Sequence, residues 1–436
     1  METWRTFRNF AAGNRSATVF TLVTITLALS LAVAQSARAQ TFSVIHNFSG
    51  GLDGANPYAG VTMDRGGNLY GTTYAGGSRH LGTVYQLKRA GSGWIANGLY
   101  SFTGGPNDGL EPLARVVFGP DGSLYGTASQ GGSVADCGEL GCGMVFKLQP
   151  PATFCRSVSC PWTETILYFF QGNSDGFFPT GELVFDHAGN LYGTTELGAS
   201  GGSAYELTPS GNTWTESVVF DFTSRTGYEP YGGLISDNAG NLYGTTQTGG
   251  VYFQGTVFRL TQSGSGWTLS VPYNFMDESD GGNPNAGVVL DQSGNIYGTT
   301  TSAGQGGGGT VFELSPSGDD WVFSLLYGFT ANFYGNCPNP GRQRNSGPGP
   351  AAPLTMDAAG NLYGTTACDG AHQMGNIFKL TPSSGGWIYT SLYDFTGGQD
   401  GAYPLSNVIM DENGNLYGTA SAGGSSNNGV VWEITP

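Results

Sequence analysis

Charge is scarce in this sequence. Only 11% of its 436 residues are charged, and 16 Lys and Arg stand against 32 Asp and Glu. A formal net charge of −16 argues against nucleic acid and anionic membrane surfaces as partners, because both need a basic patch. It fits a soluble exported protein and permits cation binding without requiring it. Histidine is nearly absent, at four residues with no H-x-H or H-E-x-x-H spacing, which argues against a zinc site. Beyond residue 34 no apolar run is long enough to span a membrane, and no segment sustains a helical period.

What is present begins with a targeting segment. Arg5, Arg8 and Arg15 precede the apolar run VFTLVTITLALSLAVA (19–34), which ends at Ala37-Arg38-Ala39. This is the pattern of a secretory signal cut after Ala39, with an uncleaved anchor as the alternative. Residues 1–39 are read as the signal peptide and 40–436 as one domain, secreted or periplasmic. Without its four Arg and one Glu, the mature chain carries −19.

Glycine is abundant, at 74 residues, and 13% of the chain is aromatic. The glycines are patterned rather than scattered. GNLYGTT stands at 67–73, 189–195, 240–246 and 360–366, with near copies at 122–128, 294–300 and 414–420. The seven motif tyrosines, from Tyr70 to Tyr417, lie 51 to 67 residues apart. One unit reads as four strands: A (YAGVTM), B (NLYGTT), C (TVYQL) and D (WIANGLYSF), separated by turns. Seven such units without helices predict an all-β, seven-bladed β-propeller. The ends support closure. The last unit stops after strand C, VVWEI (430–434), and the missing D strand is TFSVIHNF (41–48), which completes the last blade and leaves no open edge.

The tandem GNLYGTT units, with Gly-rich loops and a TVFxL strand, resemble the GloVer tandem repeats of exported bacterial proteins. The resemblance covers nearly the whole mature chain. It implies a repeat protein of the cell exterior, from a family that carries varied C-terminal anchors and no established activity. This sequence departs from that pattern by running to Pro436 directly after strand C. The blade order is also similar to NHL-type propeller repeats, which implies that A is innermost and D outermost.

Strand B alternates, so Gly71 should admit a close neighbouring sheet and Tyr70 should fill a wider gap with its hydroxyl partnered. Asp64, Asp186, Asp237, Asp291, Asp357 and Asp411 precede the motif in the A–B turn, where a carboxylate can accept backbone N–H groups. Blade two has Gly119 there, with Asp121 two places on. The motif therefore reads as structure, and function is expected in the loops. The D–A loops repeat Asp-Gly at Asp53, Asp108, Asp175, Asp280 and Asp400. Two readings stand: Asp-Gly turns, or an acidic mouth for Ca²⁺ or polyhydroxylated ligands with Phe177, Phe178, Tyr228 and Tyr403 as stacking faces.

Gly198–Gly202 matches G-x-S-x-G and Gly304–Gly309 matches G-x-G-x-x-G, but each runs into a strand where a helix is required. His46 replaces the tyrosine of most D strands and reads as a packing substitute. Six cysteines in an exported chain favour disulfides. Shared loops and faces pair Cys137 with Cys142, Cys155 with Cys160, and Cys337 with Cys368. No catalytic constellation or metal site can be named. The sequence reading is a monomeric exported propeller that binds a carbohydrate, peptide or surface partner without an obligatory cofactor. The alternative is a propeller hydrolase or lyase acting on polysaccharide or lactone.

Overall fold

A computed structural model describes residues 40–132, 137–151, 162–172, 174–198, 200–211, 213–264, 266–330 and 347–436. The predicted signal boundary lies outside them. Phe42–Thr435 form one compact unit. Seven four-stranded antiparallel sheets follow one another, the first made of Thr62–Met63, Leu69–Thr73, Thr83–Ala90 and Gly93–Ser101. The last combines Ile409–Met410, Leu416–Ala420 and Val430–Thr435 with the N-terminal strand Thr41–Asn47. The seven-bladed propeller and its split final blade are thus observed. Among the described residues no helix is long and apolar enough to cross a membrane.

Each motif residue has its own reason. Gly67 and its six counterparts sit at positive φ, and at Gly67, Gly122, Gly189, Gly240 and Gly294 the space around them is open, so backbone conformation rather than crowding demands glycine. Asp64 accepts the backbone N–H of Gly66 and Asn68, the Asn68 amide and the Tyr70 hydroxyl, the last at 3.0 Å. Five other blades repeat this cage, including the tyrosine contact. In blade two, Asp121 reaches Tyr125 and Ser123 from two places later and also holds Lys147 at 2.7 Å.

Leu69 and Tyr70 belong to the packing between blades. Seven apolar clusters each join one blade to the next, and the cluster of Phe48, Val61, Leu69, Tyr85, Tyr417 and Val431 joins the last to the first. A tryptophan at the start of the next D strand covers the motif tyrosine, as Trp214 does Tyr125 and Trp94 does Tyr417. The first motif threonine ties adjacent blades: Thr72, Thr194, Thr245, Thr299, Thr365 and Thr419 each donate to a carbonyl of the next inner strand at 2.7 to 3.5 Å. The second bonds within the blade, as in Thr73–Thr83 at 2.7 Å. Where it is Ala128 or Ala420, the facing residue is Met144 or Val430, so the polar pair is replaced as a unit.

Gly71 departs from expectation. It makes room for strand C of its own blade rather than for a neighbouring sheet. Gly71 faces Tyr85 across the ladder, and a Cβ there would lie 2.5 Å from the tyrosine oxygen. Phe146, Tyr205, Phe258, Phe312, Phe378 and Trp432 lie on the glycines of the other blades. At Gly364 the added Cβ would sit 2.6 Å from the Phe378 ring. Gly364→Ala is therefore expected to lose about 2–3 kcal/mol in urea unfolding, and Phe378→Leu in the same chain to recover part of it.

Candidate functional site

Seven inner strands line a central channel, each contributing a triplet from Tyr58–Gly60 in blade one to Leu405–Asn407 in blade seven. Strand A is innermost, as the NHL-type resemblance implied. The D–A loops enter this channel at one mouth, and their construction decides which side chains reach it.

At the outer end of each loop the Asp-Gly aspartate is tied to strand D. Asp108, Asp175, Asp280 and Asp400 accept the hydroxyls of Tyr100, Tyr168, Tyr273 and Tyr393 at 2.9 to 3.1 Å. Each also accepts a backbone N–H from just beyond that strand, at 2.7 to 2.9 Å. In the first loop His46 stands in for the tyrosine, with Nε2 3.3 Å from Asp53, and Ser49 supplies the backbone bond. Burial lowers the His46 pKa against the pull of Asp53, which keeps the imidazole neutral. Where strand D offers Phe220 instead, the loop has no aspartate and Thr226 accepts the Thr223 N–H. The pairing holds in four loops without being obligatory, since Asp53 takes His46 instead and Tyr327 of blade five, followed by a loop without aspartate, stacks on Tyr389 at 4.4 Å. Asp108, Asp175 and Asp280 are buried, whereas Asp53 and Asp400 are half-exposed. Burial opposes ionisation of Asp400, but bonds from Thr396 and Tyr393 hold its carboxyl below the usual range.

Two carboxyls behind this clamp are perturbed. The Tyr100 hydroxyl lies 2.7 Å from Glu164 and 3.1 Å from Asp108, so its single proton cannot serve both. Burial, with Asp108 nearby, pushes Glu164 up to about 7 against the Tyr100 hydrogen bond. Glu216 rises to about 7 through burial and the charges of Asp175 and Asp221.

The inner end of the loop is different. The residue before the loop proline has positive φ in all six described copies: Asn56, Glu111, Phe178, Glu229, Asn283 and Tyr403, at 54° to 59°. Holding non-glycine residues there costs about 1–3 kcal/mol each. Each carbonyl accepts an N–H from the first B–C loop residue, as Glu229 does from Gln247 and Tyr403 from Ser421. This fixes a constant backbone at the channel rim. Its side chains vary: two amides, two carboxylates and two aromatics. Asn56 and Asn283 donate to Ser421 and Gln247 of the neighbouring B–C loops. Glu111 accepts from Gln130, and Glu229 from Thr248.

Of the aromatic candidates, Phe177 and Tyr228 occupy one loop position, each bridged to the B–C loop at Leu197 and Thr248. Tyr403 occupies the next position, equivalent to Phe178. The structure therefore brings Tyr403 to the rim and places Phe177 and Tyr228 one residue earlier. Sequence reasoning missed Asn56, Glu111, Glu229 and Asn283 because the repeated Asp-Gly drew attention. The available signal was that the pre-proline residue differs from loop to loop.

The last residue of each triplet is Gly60, Arg115, Glu182, Gly233, Gly287, Pro353 or Asn407. Arg115 and Glu182 form an ion pair at 2.7 Å. Among the described residues no group of three His, Cys, Asp or Glu could hold a metal. His80, His187 and His372 are exposed. Cys137 and Cys142 form the expected disulfide. Cys368 is also disulfide-bonded, while Cys155, Cys160 and Cys337 lie outside the described residues. Strands Ser203–Ser210 and Gly307–Ser317 follow or include the two glycine runs, which leaves neither a helix to build on.

A closed ring of repeated blades with variable loop residues at one mouth defines a β-propeller repeat protein. The chain belongs to the Gloeobacter/Verrucomicrobia repeat family, whose model matches residues 32–199, 134–343 and 340–436. This is the family that the GNLYGTT units resemble. No curated protein matches the sequence. Among solved structures, the extracellular domain of a protein assigned as a one component system from B. thetaiotaomicron is similar at 12% identity and TM-score 0.53, over 90% of this chain and 40% of that one. A protein assigned as a 6-phosphogluconolactonase from Bacteroides uniformis gives 14% and 0.49, over 81% and 88%. A protein of unknown function from Dyadobacter fermentans gives 11% and 0.46, over 91% and 99%. At such identities the likeness concerns fold alone.

Proposed function

We propose that this protein is an exported, non-catalytic propeller that binds a carbohydrate at the D–A mouth. The observation that carries this reading is the rim of Asn56, Glu111, Phe178, Glu229, Asn283 and Tyr403, one strained backbone position that carries amides, carboxylates and aromatics in different loops, with Phe178 buried and Tyr403 half-exposed. Amides and carboxylates exchange hydrogen bonds with sugar hydroxyls, and aromatic rings cover the apolar faces of sugars. The outer aspartates serve this site indirectly, by holding each loop to strand D. The signal-like N-terminus and the Cys137–Cys142 disulfide support export into an oxidising compartment. The site needs one copy of the chain and no resident cofactor.

The test is a glycan array followed by calorimetry on the strongest hit, with and without Ca²⁺. Glu229→Gln with Tyr403→Ala is expected to weaken binding at least tenfold while leaving the melting temperature within a few degrees. Unchanged affinity would remove the rim from the site, and turnover of a polysaccharide or lactone would replace binding with catalysis.

A further inference from the structure

We propose that the B–C loop of blade four extends the sugar site outward, so that the ligand is a chain of several sugars rather than a single terminal one; this rests on the carbohydrate reading of the mouth. The loop tip, Val251-Tyr252-Phe253, is 65%, 52% and 66% exposed, and Met276 of the adjoining D–A loop is 43% exposed. Nothing in the packing of the ring asks for these residues. Four other B–C loops close as this one does, by an N–H bonded to the carbonyl six residues back: Gly255 to Gly249 here, and Gly82 to Gly76, Gly309 to Ala303, Gly375 to Asp369 and Gly429 to Gly423 elsewhere. The other four tips read SRH (78–80), QGG (305–307), AHQ (371–373) and SSN (425–427). Met276 likewise stands where the six other D–A loops carry Ser, Thr or Gln. The last tip residue has positive φ in all five loops, at 57° to 75°. Phe253 is therefore a bulky side chain in a conformation that disfavours it, and it gains no burial in return.

The backbone holds this tip in place without help from the tip side chains. Gly250 donates its N–H to Ser224 at 3.0 Å, and Val251 donates to Asn274 Oδ1 at 3.0 Å. The same loop carries two polar residues of the rim. Gln247 donates its N–H to the Glu229 carbonyl at 2.9 Å and accepts the Asn283 side-chain amide at 3.2 Å. Gln254, next to Phe253, accepts the Asn283 backbone N–H at 2.9 Å. Polar rim and apolar tip are thus joined by one braced segment. Exposed tyrosine and phenylalanine side by side suit the flat C–H faces of β-1,4-linked pyranoses. Four side chains are too few for a stable protein interface, which buries about 800 Å² on each partner. Asp277 and Glu278, exposed beside Met276, oppose an anionic bilayer.

The probes are the disaccharide and hexasaccharide of the cello-, xylo- and manno-oligosaccharide series, titrated into the full chain by calorimetry. In the series that binds, the hexasaccharide is expected to bind at least tenfold tighter than the disaccharide. Tyr252→Ser with Phe253→Asn copies the Ser-Asn end of the blade-seven tip, so this variant should melt at or above the parent temperature and lose the tenfold difference. Glu229→Gln with Tyr403→Ala should instead weaken both lengths. Equal affinity for the two lengths, or a tip variant that keeps the difference, would overturn the extension and leave the mouth standing. Glycan-array binding without binding of any of these chains would also overturn the extension alone, and no binding in either would remove the mouth with it. A parent that dimerises in sedimentation velocity while the tip variant stays monomeric would give the tip to a second copy of the chain.

Discussion

A chain that begins at Ser49, compared with one that begins at Gln40, is expected to lose more than about 5 kcal/mol of stability and to aggregate on expression. Strand Thr41–Asn47 is the outermost strand of the last blade, and without it the edge of Val430–Thr435 has no partner. The loss is not confined to an edge. Phe48 is 1% exposed, packs edge-on against Tyr85 of blade one at 5.1 Å, and donates its N–H to Gly429. Removing one buried phenylalanine costs about 3–5 kcal/mol. Phe42 adds a stack on Tyr393 of blade six at 3.7 Å. The strand therefore joins three blades, and its removal opens the ring at its only chain-end seam. Adding the peptide TFSVIHNF in trans should restore the cooperative transition in size-exclusion and unfolding measurements. A shortened chain that melts like the longer one would show that closure does not depend on this strand.

That seam is legible in the sequence because it is a counting property: six complete units, one lacking strand D, and a spare D-like segment at the other end. The motif is legible for the same reason, since seven copies reveal which positions are fixed. What the glycine of the motif touches is harder to read. Alternation says that Gly71 and Tyr70 point to opposite sides, but the partner of Gly71 depends on the B–C register. That register sets Gly71 opposite Tyr85 and Gly418 opposite Trp432. A Gly-rich loop of variable length lies between the two strands and hides the pairing.

The loops are half legible. Repetition marks Asp53, Asp108, Asp175, Asp280 and Asp400, and repetition is what a structural clamp produces. The tyrosine that each of Asp108, Asp175, Asp280 and Asp400 binds lies seven or eight residues earlier, at the end of a different element. The rim residues are marked by the opposite signal, variation at a fixed place. Their left-handed backbone could not be foreseen at Phe178 or Tyr403, since bulky residues disfavour it. Arg115 and Glu182 are the charged residues of the channel-lining triplets, but only the ring makes neighbours of two residues so far apart in sequence.

Stability is expected to be highest between about pH 4 and 6 and to fall as the pH rises through 7, unlike that of most proteins. Glu164 is the main cause. Its carboxyl titrates near 4.5 when solvated and is pushed up to about 7 in the folded chain, so folding favours the protonated form. The stability this supplies is complete below about pH 4.5 and is lost as the pH passes 7. At about 1.4 kcal/mol per unit, the rise from 4.5 to about 7 sets an upper bound of about 3.5 kcal/mol on the loss for Glu164. It is smaller for the more exposed Glu216, where solvent screens the interaction. The acid limb has the opposite sign. Asp237, Asp357, Asp400 and Asp411 are held below their usual range by hydrogen bonds that outweigh burial, so their contribution exists above about pH 4 and disappears as the pH falls. Glu164→Gln separates the two limbs. The glutamine oxygen can accept the Tyr100 proton while its amide donates toward Asp108, which gives every group a partner without a titrating proton. In urea unfolding the variant should match the parent at pH 5 and exceed it by about 2 kcal/mol at pH 8.5. A parent that is equally stable at the two pH values, or a variant with the same pH dependence as the parent, would mean that Tyr100 does not stand between two carboxyls competing for one proton.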